Sequence, residues 1–233
     1  MFQNKKIISI IPAKKDNNNI DQLNLKDLGG KPLISYTIKA AQKSKFIDEI
    51  YLSTEDSKIA SLAENYGIEV PSLRPDKLSK KNTSSLDVAS FVLRAINKSF
   101  DFVLILLPNA PFRDSNIIDQ AIEFMIENSY EKVRGVKLIE DYFLYKGSYE
   151  SVDERNFENG YGLPRLHEQT IVGGGMYLYS SDKLLSSEDN LPWTNFIIPE
   201  HNAILIKSLY DLLVTERLVN LNQSLIDSLI KST

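Results

Sequence analysis

The chain has 233 residues and a formal net charge of −4, so it is long enough for one large domain and has too little positive charge to suit nucleic acid, whose phosphates are bound by clustered Lys and Arg. It contains no cysteine and only two histidines, His167 and His201. A disulfide framework, thiolate chemistry and a histidine-rich metal site within one chain are therefore excluded. The first apolar run, KIISIIPA (6–13), is bounded by charge and reads as a strand buried on both faces of a parallel sheet. Lys5 and Lys6 ahead of it give a superficial likeness to a signal peptide, but Lys14 and Lys15 follow at once. No apolar run approaches the roughly 18 residues of a membrane span, and a cytoplasmic protein with no membrane partner is expected.

Next comes a polar loop carrying Asn17, Asn18 and Asn19, then Gly29-Gly30 and Lys31-Pro32. Pro32 marks the first turn of a helix whose apolar face is Leu33, Ile34, Thr37, Ile38 and Ala41. EIYLST (49–54) is a second strand, 57–66 a helix stopped by Gly67, and 68–70 a short strand. A loop with two prolines (71–83) precedes a helix that Ser84 or Ser85 can cap. FVLILL (102–107) is the most apolar strand and the expected centre of the sheet. Pro108 and Pro111 break it, and Ser115 or Asn116 caps a helix running to Ile126. VRGVKLI (133–139) is a further strand.

This alternation predicts a doubly wound, mainly parallel α/β sheet in a single domain over 1–233. Between 141 and 161 it gives way to Tyr, Gly, Asn and Asp in short extended pieces, which read as an inserted β arm. Its aromatics, Tyr142, Phe143, Tyr145 and Tyr149, suit an interface. GGGMYLY (173–179) returns to strand, AILI (203–206) is expected as the last strand, and helices over 208–219 and at the end of the chain follow.

Ligands of such sheets sit at the carboxyl ends of the strands, which places 14–24 and 108–113 beside one crevice. The pieces IIPAKKDNNNIDQLNLKDLGGKPLISYTI, IYLSTED, YGIEVPSLRPDKL, NTSSLDV, LLPNAPFR, GGMYLY and EHNAILIKSLYDLLVTE, in this order, resemble the sugar-activating cytidylyltransferases, most nearly the acylneuraminate (CMP-sialic acid) synthetase group. The resemblance covers nearly the whole chain. It implies a Rossmann-like fold of the nucleotide-diphospho-sugar transferase type, with the inserted arm making a homodimer. It also implies transfer of CMP from CTP to a 2-keto-3-deoxy sugar acid, with Mg²⁺ as cofactor.

Set against the family pattern, Lys14 stands where the first loop has an Arg and keeps its charge. Asn18 and Asn19 match a Lys-Gly pair, Leu23 replaces a cation, and Asn24 is retained. Lys15 is placed to compensate. The resemblance gives Lys14, Asn18, Asn24, Arg74 and Ser84 to the nucleotide, with Lys15 added as the compensating cation, and Arg113 and Arg165 to the sugar acid. Ser84 is also a natural helix cap, and Arg74 an ordinary loop residue. Leu107 replaces a Gln and Gly173 an Asn. The two carboxylates that hold Mg²⁺ in the family align with Leu205 and Lys207, so no metal ligand is assigned. Lys14 and Lys207 are the candidate catalytic cations. Two readings stand: a divergent cytidylyltransferase whose lysines replace part of the metal charge, and a catalytically silent homologue that binds a sugar acid, a nucleotide or a protein partner.

Overall fold

The computed structural model describes residues 2–15, 20–80, 82–96, 98–139, 169–186 and 192–221. The expected arm over 141–161, Asn18, Arg165 and the expected last helix lie outside them. The strands are β1 (Ile7–Pro12), β2 (Glu49–Ser53), β3 (Phe102–Leu106), β4 (Lys132–Ile139), β5 (Gln169–Ser180) and β6 (Thr194–Ile197). The helices are α1 (Ile34–Lys43), α2 (Ser57–Asn65), α3 (Ser85–Ala95), α4 (Ser115–Glu127), α5 (Ser181–Leu185) and α6 (Leu209–Asn220).

The strands form one sheet in the order β2-β1-β3-β5-β4-β6. β1 pairs parallel with both β2 and β3, and β4 pairs parallel with β6. β5 runs antiparallel between β3 and β4. The two-residue period of β1 divides the core. Ile7 and Ile11 face α1, α2 and α4, packing with Ile34, Ile38, Ile59, Ile118 and Ile122. Ile8 and Ile10 face α3, packing with Ala89, Val92 and Leu93. A strand covered on both faces is mostly apolar on both, which is why the 6–13 run, Ser9 apart, has no alternation.

Helix starts follow local capping chemistry. Asp56 caps α2 by accepting from the amides of Lys58 and Ile59, and Ser84 and Ser208 open α3 and α6 with full capping boxes. The cap of α4 is Asp114, which accepts from the Ile117 amide, and not Ser115 or Asn116 as the sequence suggested. Two strand assignments also change. Residues 68–70 make only an isolated bridge, Glu69 with Tyr51. Residues 203–206 leave a 3-10 turn (Glu200–Ala203) as an extended link outside the sheet, and β6, which the sequence did not single out, takes the edge beside β4.

β3 and β5 are joined at their cleft end by Arg113, which is 1% exposed. Its Nη1 donates to the carbonyls of Gly174 and Gly175, the latter at 2.9 Å, and its Nη2 donates to Thr37 Oγ1 at 3.0 Å. The Leu107 carbonyl lies 3.4 Å from both nitrogens. Successive strand carbonyls ordinarily point to opposite sides. Here Gly174 and Gly175 have φ of +62° and +54°, and this left-handed backbone turns both oxygens to one guanidinium. Burial lowers the pKa of Arg113 to about 9, so it remains a cation at neutral pH. Arg113→Met strips these carbonyls of their donor inside the fold. It is expected to lower unfolding free energy by about 3 kcal/mol in urea titration.

Candidate active site

The carboxyl ends of β1 and β3 open onto a cleft of about 250 Å³, lined in part by Lys14, Asn24, Arg74, Thr83, Ser84 and Asn109. Pro12, Ser85, Val88, Leu107 and Pro108 complete its wall. Four residues expected at the nucleotide, Lys14, Asn24, Arg74 and Ser84, thus come together from separate stretches of chain. Lys15 is exposed just beyond Lys14.

Lys14 follows β1 directly, and its ammonium donates to the Lys80 carbonyl at 2.7 Å. Desolvation lowers its pKa, as does the positive charge of Arg74, while Glu55 opposes the shift. Asn24 is buried, and its Nδ2 donates to the Lys14 carbonyl at 2.7 Å. It therefore fixes the base of the first loop. Arg74 is 2% exposed. Its Nη2 is paired with Glu55 and its Nε donates to Ser79 Oγ at 3.3 Å, while Nη1 has no partner among the described residues. The Ser84 hydroxyl accepts from the Asp87 amide at 3.1 Å. That leaves its proton for a ligand, so capping and binding are compatible at this residue.

Leu23, which stands where the family pattern has a cation, is 1% exposed and packs with Ile20, Leu28, Leu33 and Ile206. This apolar cluster lies under the first loop. The link to α6 is anchored beside the cleft by Asn109, whose Nδ2 donates to the Ile206 carbonyl at 3.0 Å and whose carbonyl accepts from the Ile206 amide at 2.9 Å. Lys207 is exposed and follows Ile206, but its side chain is not part of the cleft wall. Arg113 is not part of it either, since it is turned into the fold toward β5. Thr83 and Asn109 were not singled out in the sequence, and Ser85 only as an alternative cap of α3. The rule that strand ends carry ligands points to Asn109, which follows Pro108 at the end of the central strand.

Mg²⁺ prefers hard oxygen ligands, commonly one or two carboxylates with phosphate. Among the described residues no group of three or more Asp, Glu, His or Cys comes together. Asp211 is engaged by the amides of Lys207 and Ser208, at 2.9 and 2.8 Å, and Glu55 by Lys15 and Arg74. These two carboxylates are thus engaged by the fold itself, and Asp16 lies outside the described residues.

Cations and amides gathered at the strand ends of a mixed α/β sheet suit an anionic ligand, although such a sheet does not by itself fix the chemistry. Residues 8–158 match the family described as Cytidylyltransferase. The chain is 30% identical over 210 residues to the pseudaminic acid cytidylyltransferase of Campylobacter jejuni, covering 86% of this chain and 87% of that protein. It is 38% identical over 124 residues to the CMP-N,N'-diacetyllegionaminic acid synthase of Legionella pneumophila, covering 51% and 52%. The solved structure of a CMP:2-keto-3-deoxy-manno-octonic acid synthetase complexed with CTP has the same fold, with a TM-score of 0.67, 14% identity and coverage of 91% of this chain and 98% of that one. The chain belongs to the cytidylyltransferase family.

A phosphate bound at Lys14 would need its ammonium form, and the lowered pKa brings loss of that form to a lower pH than for an ordinary lysine. CTP affinity measured by calorimetry is expected to fall as pH rises through that range. In Lys14→Arg the fall should disappear, and Lys14→Ala should lose about 1.5–3 kcal/mol of CTP binding at neutral pH.

Proposed function

We propose that this chain transfers CMP from CTP to the anomeric hydroxyl of a 2-keto-3-deoxy sugar acid of the sialic acid type. The observation that carries the reading is the convergence of Lys14, Asn24, Arg74 and Ser84 on one cleft at the ends of β1 and β3. The sugar hydroxyl oxygen attacks the α-phosphorus, the bond from that phosphorus to the bridging oxygen breaks, pyrophosphate leaves, and the hydroxyl proton passes to solvent. Lys14 and Lys15 bring positive charge to the triphosphate, whose negative charge shifts toward the leaving group in the transition state. Lys207 adds a third cation beside the cleft in this reading. Arg165 and Asn18 are proposed contacts to the sugar carboxylate and the phosphates. Mg²⁺, arriving with CTP, would screen the triphosphate. The arm over 141–161 is proposed to make a homodimer.

One observation favours a second reading, a homologue that binds without turnover: the carboxylate nearest the aligned metal positions, Asp211, is committed to the start of α6. Pyrophosphate release, measured with CTP and either pseudaminic, legionaminic or sialic acid while Mg²⁺ is varied, separates the two. Sugar-dependent release that survives partial chelation supports transfer with lysines sharing the metal's role. CTP binding without release supports the silent homologue. Leu205→Asp with Lys207→Asp is expected to create measurable Mg²⁺ affinity, read by calorimetry in the absence of nucleotide.

A further inference from the structure

We infer that Glu55 is a positioning residue of this cleft, fixing the peptide group that carries Lys14 and Lys15 and tying it to Arg74. The inference rests on the nucleotide reading above. Glu55 follows β2 in the loop to α2 and does not line the cleft; its side chain stands behind the wall, 18% exposed. Its Oε1 accepts from the Lys15 amide at 2.8 Å. Its Oε2 accepts a short charge-assisted bond from Arg74 Nη2. Arg74 is held from its other end as well, because its amide donates to the Thr54 carbonyl at 2.8 Å.

The Lys15 amide and the Lys14 carbonyl belong to one peptide unit, and that carbonyl is the one held by Asn24. One rigid plane is therefore gripped at both ends, by an amide donor on its oxygen and a carboxylate on its N–H. The orientation of this plane sets where both ammonium-bearing side chains leave the backbone. Glu55 stays ionised in this setting. Burial pushes its carboxyl up, but the Lys15 amide and the Arg74 guanidinium outweigh that and hold it below the usual carboxylate range.

Charge alone predicts the opposite of positioning. Removing an anion from beside a cleft that binds a polyanion should tighten binding; removing a positioning group should weaken it. The sign of the change in CTP affinity therefore decides. Glu55→Gln keeps the shape and one acceptor oxygen, but its NH₂ cannot serve the second donor. The experiment is CTP calorimetry on wild type, Glu55→Gln and Glu55→Ala, with melting temperatures alongside. Amide exchange at Lys15 is measured in the free wild type.

The expected result is a roughly tenfold loss of CTP affinity in both variants, the size of one charge-assisted contact, at a melting temperature near wild type. The Lys15 amide of the wild type is expected to be protected. Unchanged or tighter CTP binding in a folded Glu55→Gln overturns the proposal, and so does an unprotected Lys15 amide, which decides alone if neither variant folds. A wild type with no CTP affinity overturns the nucleotide reading itself. A wild type that binds CTP beside variants that bind equally well overturns Glu55 only.

Discussion

The contact on which the sheet and cleft depend is the Arg113 guanidinium set against main-chain carbonyls where β3 and β5 end. An isolated cation inside a protein is costly, and the usual remedy is a carboxylate. Here the dipoles of Gly174, Gly175 and Leu107 take that role, with the Thr37 hydroxyl adding a contact from α1. The arginine thereby joins the parallel half of the sheet to its antiparallel strand. Leu107 and Pro108 follow immediately and line the cleft. The wall is thus fixed from behind by a residue with no part in the cleft surface.

On the open side the polar groups are held more lightly. The Lys14 ammonium rests on a neutral carbonyl, that of Lys80, in the loop that leads to α3. The carbonyl offers this ammonium only a dipole, whereas an anion offers it a full opposite charge, so an arriving phosphate would compete favourably for it. Ser84 likewise keeps its proton while its oxygen caps α3. In the free cleft Lys14 and Ser84 thus stay available to a ligand, whereas Arg74 is held by Glu55 with only Nη1 unpartnered among the described residues.

Much of this was legible in the sequence. The unbroken apolar runs of β1 and β3 require a doubly covered sheet, and the polar residues just beyond them fall at the cleft by the topology of such sheets. The edge of the sheet was less legible. β6 has only four residues, alternately half-buried and exposed, and leaves no apolar run. Residues 203–206 do make one, yet for another reason: Ala203 closes against Gly173 and Ile206 packs under the first loop, so both are buried without strand pairing. Periodicity reports burial and is silent about which element does the burying. Arg113 shows the same limit. An arginine after a proline-rich strand end looks like a ligand contact, and only two glycines about sixty positions away (Gly174 and Gly175), turned by their backbone, reveal that it faces inward.

Leu23 carries a consequence for redesign. The resemblance places a cation at this position, and adding one is the obvious route to a more phosphate-loving loop. The leucine, however, is the floor of that loop, packed against Ile206 from the link to α6. An ammonium there would have to be desolvated among Ile20, Leu28 and Leu33, at a cost of several kcal/mol before any phosphate arrived. The substitution works as a ratchet: once an apolar side chain has been built into the foundation, the charge cannot return by reversing one residue. New charge has to come from the rim, at positions such as Lys15 that already face water.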